Sequence, residues 1–490
     1  MRPSRTPIAP RLLSGWTVAV LVALVVLVAW LPDLDLPLGD SDDGRILARF
    51  GLQARNFWEK GAAESEYGAL IEPYIRAEYG IPPGETPPRE AVTYAHHPPL
   101  QTFVSILSVG MLGDTLVGLR AVGFLLGAST ILFMTALLRV RGLAWGPTLL
   151  SVGAMASTGF YFVYGRIGVG FSLIVASVAA VAYLREARDP PVPIQAAVAV
   201  LACLTAMQSW IAMAAMGLLL LWLLVRKGWE PVTWWVTLGA VAGVLITAAW
   251  LLSGTDTAEL ANRVAFRVDT TRGSFGEFLA RQWRFAGRFT PVWFRVLAPL
   301  ALVAGLVDRR TRIPVAITLG VAAAWTFGLQ QGAWIHLLWN FPWLAPITIG
   351  LGALLDAARR VLVQRAVRAA SVAAVVVLAV TLYGVATGTT RDNYLTLPAD
   401  AGRLMERLAI SAPPGNMWVT PGIGTPRWVS YYLDAPVWTL RSETRHDLAP
   451  EDLVLVRTDR VPDEFPEDWQ DTPVLAEGRY RLIRGEVLLG

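Results

Sequence analysis

LPDLDLPLGDSDDGRILARFGLQARNFWEKG, residues 31–61, decides how the rest of the chain is read. It is the first long polar break after an apolar N-terminal segment. With VTYAHHPPLQTFVSILSVGMLGD, residues 92–114, it frames a loop running from 32 to 118. The loop holds 13 Asp and Glu against 6 Lys and Arg, and two of the four histidines. Asp40, Asp42 and Asp43 fall within four residues, just past the first apolar run. Carboxylates at headgroup height stay wet and ionised, without the cost a bilayer core would impose. The stretch therefore reads as an outer loop of a membrane protein, and as the place where its chemistry sits.

Composition agrees. The 490 residues are 54% hydrophobic and 16% charged, where a soluble protein carries about 25% charged residues. Twenty tryptophans suit a protein with many interfacial anchors. The net charge of +4 is gathered in short clusters between apolar runs, which is a topology signal and points away from nucleic acid. The single cysteine, Cys203, excludes an intramolecular disulfide and any cysteine-based metal site.

Working outward, residues 15–31 form a first apolar run behind Arg2, Arg5 and Arg11, and read as an uncleaved helix with its N-terminus inside. Ten more runs follow: 119–138, 144–163, 167–184, 192–208, 210–225, 232–252, 292–308, 312–330, 335–356 and 367–387. Most approach the 20 or so residues of a span. Every even-numbered exit is basic: Arg139 and Arg141, Arg185 and Arg188, Arg226 and Lys227, Arg309 to Arg312, and Arg359 to Arg368. These exits belong inside, which gives about eleven spans. Leu100 to Leu112 is apolar but short, and reads as a juxtamembrane or re-entrant helix started by Pro98 and Pro99. The loop 253–291 alternates charged and aromatic residues and reads as helices lying on the membrane surface. From 389 the chain is not membrane-like. A helix over Pro398 to Ile410 and strands at Met417 to Thr420, Val437 to Leu440, Leu453 to Arg457 and Tyr480 to Ile483 make a small α/β domain. The odd span count puts it outside. The expected architecture is an all-α polytopic membrane domain, 1–388, followed by an extracytoplasmic α/β domain, 389–490.

Candidate site residues follow from outer placement. One of Asp40, Asp42 and Asp43 can take a proton from a hydroxyl, while another orients it or binds a divalent cation, with Asp40 and Asp43 the candidate ligands. His96, His97 and His336 can hold a phosphate or a leaving group. Their spacing is not a strong metal signature. His446 is also placed outside. Arg120 and Arg166 stand at outer ends of spans, where a cation can reach a phosphate. Arg263 and Arg267, in the surface loop, can do the same, as can Arg272, Arg281, Arg284 and Arg288. Ordinary headgroup contact accounts equally well for the loop arginines. Gly422 and Gly424 are too sparse for a nucleotide fingerprint.

The Asp cluster after the first span, His-Pro-Pro-Leu at 97–100 and Gly-x-x-x-x-x-x-Arg (Gly113 to Arg120) at the entry to the next span together resemble the GT-C glycosyltransferases. Within them, bacterial relatives of protein mannosyltransferases and of the aminoarabinose transferase that modifies lipid A are the most similar. The resemblance covers about residues 10 to 390. It implies transfer of a sugar from a polyprenyl-phosphate carrier to a hydroxyl of a lipid, glycan or protein, usually with inversion, outside the cytoplasmic membrane and without a nucleotide cofactor. The family's Asp-Glu-Ala-x-Tyr-Ala motif falls on Asp42 to Leu47, with Ile46 where the family has Tyr and Ala48 next in the chain. That makes Asp42 the base and Asp43 its acidic neighbour. Tyr164-Gly165-Arg166 resembles the family's outer-face Arg, and His336 its late-loop histidine. Gly170 and Phe171 occupy the region where many relatives place an Asp. The rival reading is a transporter or flippase of lipid-linked intermediates. That reading expects charges near the midplane and paired repeats, and the runs here are nearly charge-free with no duplication.

Overall fold

The computed structural model describes residues 9–489 apart from 73–92, 96, 168–173, 177, 179, 182–190, 255–256, 269–272, 363, 412–414, 424–425, 441–446, 463–464, 467–468 and 470–472. The chain divides into two compact units. One comprises Met1–Leu31, Gly123–Ala248 and Ala261–Gly388; the other comprises Pro32–Val122, Ala249–Leu260 and Thr389–Gly490.

The apolar runs are helices: Ala9–Trp30, Leu116–Val140, Val192–Gln208, Trp210–Lys227, Pro231–Gly254, Val292–Val307, Arg312–Gly328, Leu344–Val361 and Gln364–Thr387. The run at 144–163 breaks at Ser157–Thr158 into Trp145–Ala156 and Gly159–Tyr164. Among the described residues, five helices are long and apolar enough to cross a membrane, or six with the bent pair Phe275–Phe289 and Val292–Val307 taken as one span. Four further apolar helices are shorter: Leu100–Leu112, Val192–Gln208, Trp210–Arg226 and Arg312–Gly328. At 1.5 Å per residue, a 17-residue helix such as Val192–Gln208 reaches about 26 Å, just under a hydrocarbon core of about 30 Å. The run 167–184 lies mostly outside the described residues. The chain is thus a multi-pass helical membrane protein.

Within the first unit, Leu344–Val361 packs against Val292–Val307, Trp145–Ala156 and Arg312–Gly328. Small residues set the crossing with Val292–Val307. A Cβ on Gly350 would lie 2.2 Å from the carbonyl oxygen of Ala301. Lipid offers no hydrophobic drive for helices to associate, so close backbone approach at small residues supplies the dispersion energy. At one end of this unit, three basic exits meet around Asp356. Its carboxylate accepts from Arg310 and Arg360, each at 2.7 Å, and from the amide of Ala144 at 3.3 Å. Arg141 Nε donates to the carbonyl of Arg310 at 2.5 Å. The exits of the second, eighth and tenth apolar runs therefore share one face. A second face gathers odd-numbered exits. The amphipathic helix Phe275–Phe289 is closed at its start by a Ser274–Glu277 capping box. It stacks Phe289 on Phe160 at 4.6 Å, and its Arg281 Nε donates to the carbonyl of Trp334 at 2.7 Å. The chain turns through 119° from this helix into Val292–Val307.

The second unit is built on a five-stranded sheet of β1 (Met417–Val419), β2 (Val437–Thr439), β3 (Leu453–Arg457), β4 (Leu475–Glu477) and β5 (Tyr480–Arg484), in the order β2-β1-β3-β5-β4. β2, β1 and β3 are parallel, and β5 pairs antiparallel with β3 and β4. The helix Arg427–Leu433 makes the β1–β2 crossover. Alternation sends Trp418, Val454, Val456 and Ile483 to one face, where Trp438, Trp469 and Leu488 cover them. The other face, with Val419, Leu453, Leu455 and Leu482, shares a core with Leu47 and Leu52 of the helix Asp42–Glu64, Leu404 and Leu408 of Leu397–Ser411, and Trp428. The segment that carries the Asp cluster and the C-terminal domain therefore fold around one core.

Candidate active site

The aspartates lie where the chain leaves an irregular stretch for the helix Asp42–Glu64. Ser41 caps that helix, its hydroxyl accepting from the amide of Gly44 at 2.9 Å. Asp42 and Asp43 occupy the first turn, where the unpaired amides and the helix dipole favour negative charge.

The three carboxylates have different surroundings. Asp40 is fully buried between Arg45 at 2.9 Å and Arg457 at 3.0 Å. Asp43 is buried and takes Arg120 Nη2 on Oδ2 at 3.0 Å, while its Oδ1 has no hydrogen-bond partner among the described residues. Asp42 keeps 23% of its side chain exposed, with Arg45 at 3.9 Å. Burial opposes the charge on Arg45, but Asp40 and Asp42 outweigh it and hold the guanidinium above its ordinary pKa. Burial, with Asp40 nearby, pushes the Tyr480 hydroxyl up to about 12, so it stays neutral beside the cluster.

Arg120 is buried. Besides Asp43 it donates to the carbonyls of Leu36 and, at 3.5 Å, Leu34. Three side chains that the sequence reading passed over hold the same stretch: Arg457, Tyr432 and Arg391. Their sequence separation from it, 358 residues or more, left no local signal. Arg45 carried one, five residues after Asp40.

The His-Pro-Pro segment is fixed in the same unit. Trp250 Nε1 donates to the carbonyl of His97 at 3.0 Å, and Gln53 Nε2 donates to that of Tyr94 at 3.1 Å. Pro99 starts the helix Leu100–Leu112, as the sequence implied. The His97 side chain is exposed, its ring 5.5 Å from that of Tyr94. Tyr94 also carries the guanidiniums of Arg49 at 4.2 Å and Arg427 at 4.8 Å. His96 and His446 lie outside the described residues, as do Gly170, Phe171, Arg272 and Gly424.

In the first unit, Arg166 follows the short helix Gly159–Tyr164, capped by Thr158. Its guanidinium lies 5.5 Å from the Phe124 ring and 5.8 Å from the Phe162 ring, and the residue is 1% exposed. His336 and Arg267, on separate segments, meet at one indole. The His336 ring stacks on Trp339 at 6.3 Å, and Arg267 stands over the same ring at 5.7 Å. Trp325 stacks on Trp339 at 4.4 Å. Arg263 lies on the helix Thr257–Val268.

Three comparisons with known proteins bear on this arrangement. No protein-family model matches the chain, and no curated protein matches it in sequence. Solved structures match it in fold. ArnT from Cupriavidus metallidurans bound to undecaprenyl phosphate aligns at a TM-score of 0.58 and 15% identity, over 96% of this chain and 98% of that one. The fold is GT-C-like. ArnT from the same organism in the apo state gives 0.56 at 16% identity, over 97% and 99%. The Archaeoglobus fulgidus oligosaccharyltransferase in complex with Zn and sulfate gives 0.51 at 10% identity, over 90% of this chain and 68% of that one. The GT-C-like fold thus takes in the helical core and the C-terminal domain together.

The oligosaccharyltransferase complex includes Zn, whereas Asp40 and Asp43 here are committed to arginines. Both oxygens of Asp40 and one of Asp43 are already given to guanidiniums. Among the described residues no three His, Cys, Asp or Glu side chains converge. A turn neutralised by arginines does not fit a divalent cation.

Proposed function

We propose that this protein transfers a sugar from a polyprenyl-phosphate carrier to a hydroxyl of a lipid, glycan or protein on the outer face of the cytoplasmic membrane, with inversion. One observation carries the reading: nearly the whole chain shares its fold with a structure that holds undecaprenyl phosphate. The Asp-rich turn agrees with it, since two of its carboxylates are buried against arginines and the third, Asp42, is partly exposed.

The chemistry is a single displacement. The acceptor oxygen bonds to the anomeric carbon as Asp42 takes its proton. The bond from that carbon to the carrier phosphate breaks, and its electron pair leaves on the phosphate oxygen. Charge grows on the departing polyprenyl phosphate, and Arg166 is the residue we assign to it, since a buried guanidinium is worth more there than one in water. His96, His97, His336, Arg263 and Arg267 are assigned to holding the donor. Asp43 is assigned as the acidic neighbour that orients the turn, with Arg120 as its counter-ion. No step is routed through a divalent cation or a nucleotide.

We assign residues 1–388 to a GT-C-like membrane domain of eleven spans, with the N-terminus in the cytoplasm, and residues 389–490 to the outside. Convergence of the basic exits on Asp356 supports this register. Pro450, exposed in the C-terminal domain, tests it. A Pro450→Cys variant with Cys203→Ala should react with an impermeant maleimide in intact cells. Protection until lysis contradicts the assignment.

The donor class is tested by binding. Undecaprenyl phosphate at about 100 times its Kd should stabilise the purified protein by about 2.7 kcal/mol, read as a raised Tm. The prenol without its phosphate should do much less. Equal shifts from both would sink the phosphate as the recognised group.

A further inference from the structure

We propose that the C-terminal domain clamps the aspartate turn, with Arg457, Tyr432 and Arg391 as positioning residues. The catalytic meaning of the clamp rests on the proposed transfer reaction; its existence does not.

Residues 34–40 belong to no regular helix or strand. They have no ladder of their own to set the backbone, so outside groups must set it. Those groups come in order from beyond residue 390. Arg391 donates to Asp33 Oδ1 at 2.6 Å, and the Asp33 side chain is fully buried. The Tyr432 hydroxyl accepts from the amide of Leu38 at 2.7 Å. A Cβ on Gly39 would lie 1.9 Å from the carbonyl oxygen of Pro398, so this backbone runs directly against the start of the helix Leu397–Ser411. Arg457, on β3, donates to Asp40 Oδ2 at 3.0 Å. Two residues beyond Asp40 stands Asp42.

Each contact also constrains a direction. Asp40 is held from one side by Arg45, on the helix that follows it, and from the other by Arg457, on the sheet. Arg457 is itself oriented by Asp459 at 2.6 Å, and both groups are held in their charged forms, the hydrogen bond between them being the main cause. Burial, then Glu406, raises the pKa of Tyr432, which keeps its hydroxyl neutral and available to Leu38. The turn's position is therefore written largely in residues 391–457. Misplacing a catalytic group by about 1 Å can cost about 10² in rate, and that is the effect a positioning residue should have.

The experiment uses the full-length protein with Arg457→Gln, Arg457→Lys, Tyr432→Phe and, as control, Arg407→Gln. Arg407 pairs with Glu477 at the surface and donates to the carbonyl of Ala476, neither of which belongs to the turn. Hydrogen exchange is followed for peptides covering 36–42 and 344–361, and donor KM and kcat are measured alongside. Arg457→Gln and Tyr432→Phe should raise exchange in 36–42 about tenfold or more and leave 344–361 unchanged. Arg457→Gln should lower kcat about 10²-fold with KM within about threefold; Arg457→Lys should recover part of it, and Arg407→Gln should match wild type. Unchanged exchange in 36–42 overturns the clamp. Faster exchange with unaltered kcat overturns the positioning role. Should Arg457→Gln fold poorly, Tyr432→Phe, which loses a single hydroxyl, decides by the same two readouts. If the wild-type protein transfers no sugar, the functional reading fails, and the exchange data still decide whether the clamp exists.

Discussion

Asp42→Asn should turn over about 10²–10⁴ times more slowly than wild type, the usual cost of losing a general base. Donor affinity should stay within about twofold, because the amide keeps the shape of the carboxylate and the loss falls on the chemical step. The choice of Asp42 comes from the contrast among three neighbours. Asp40 spends both oxygens on arginines, and Asp43 spends one on Arg120. Asp42 alone of the three keeps a partly exposed carboxylate at the helix N-terminus. Asp40→Asn should also slow turnover, but with faster exchange in 36–42, because it loosens the turn. Near-normal turnover of Asp42→Asn with a stable but dead Asp43→Asn would move the base by one residue and leave the loop assignment standing.

Arg120→Met should destabilise the protein by about 3–5 kcal/mol, as breaking a buried ion pair does when one charge stays behind. The Arg120 side chain is 1% exposed and that of Asp43 is 4% exposed, so water cannot replace the lost partner. The carbonyls of Leu34 and Leu36 lose a donor as well. Adding Asp43→Leu to Arg120→Met should recover most of the loss, because two apolar groups of similar size leave no orphaned charge. Thermal unfolding of both variants in one detergent checks this. A single variant within about 0.5 kcal/mol of wild type, or a double variant no better than the single one, contradicts the role given to the pair.

The sequence carried the membrane architecture because its signals are local. Apolar runs, basic exits and the short Leu100–Leu112 helix are each read from consecutive residues. β3 was legible as LVLVR and is observed at Leu453–Arg457. β4, three residues of mixed exposure at Leu475–Glu477, was not, because alternation cannot be read from so short a segment. The Asp cluster was visible as composition, while the sorting of its members was not. That sorting depends on Arg457, 417 residues from Asp40, and on Arg120, 77 residues from Asp43. Arg267 and His336 were each picked out from their loops. Their meeting on Trp339 needed the fold, since an indole among twenty tryptophans carries no mark of its own. The Asp-first-loop pattern and the His-Pro-Pro segment suggested the GT-C fold before any coordinates, and the fold match at 15% identity agrees with that suggestion.

The central claim is that the bond between a sugar and a polyprenyl phosphate is broken here. The direct measurement is release of polyprenyl phosphate when the purified protein meets a panel of polyprenyl-phosphate sugars and envelope acceptors. Release with at least one donor, matched by glycosylated acceptor and lost in Asp42→Asn, is the result expected. Donors that stay intact throughout the panel, yet cross the bilayer of proteoliposomes holding the protein, would contradict the account and make the chain a transporter.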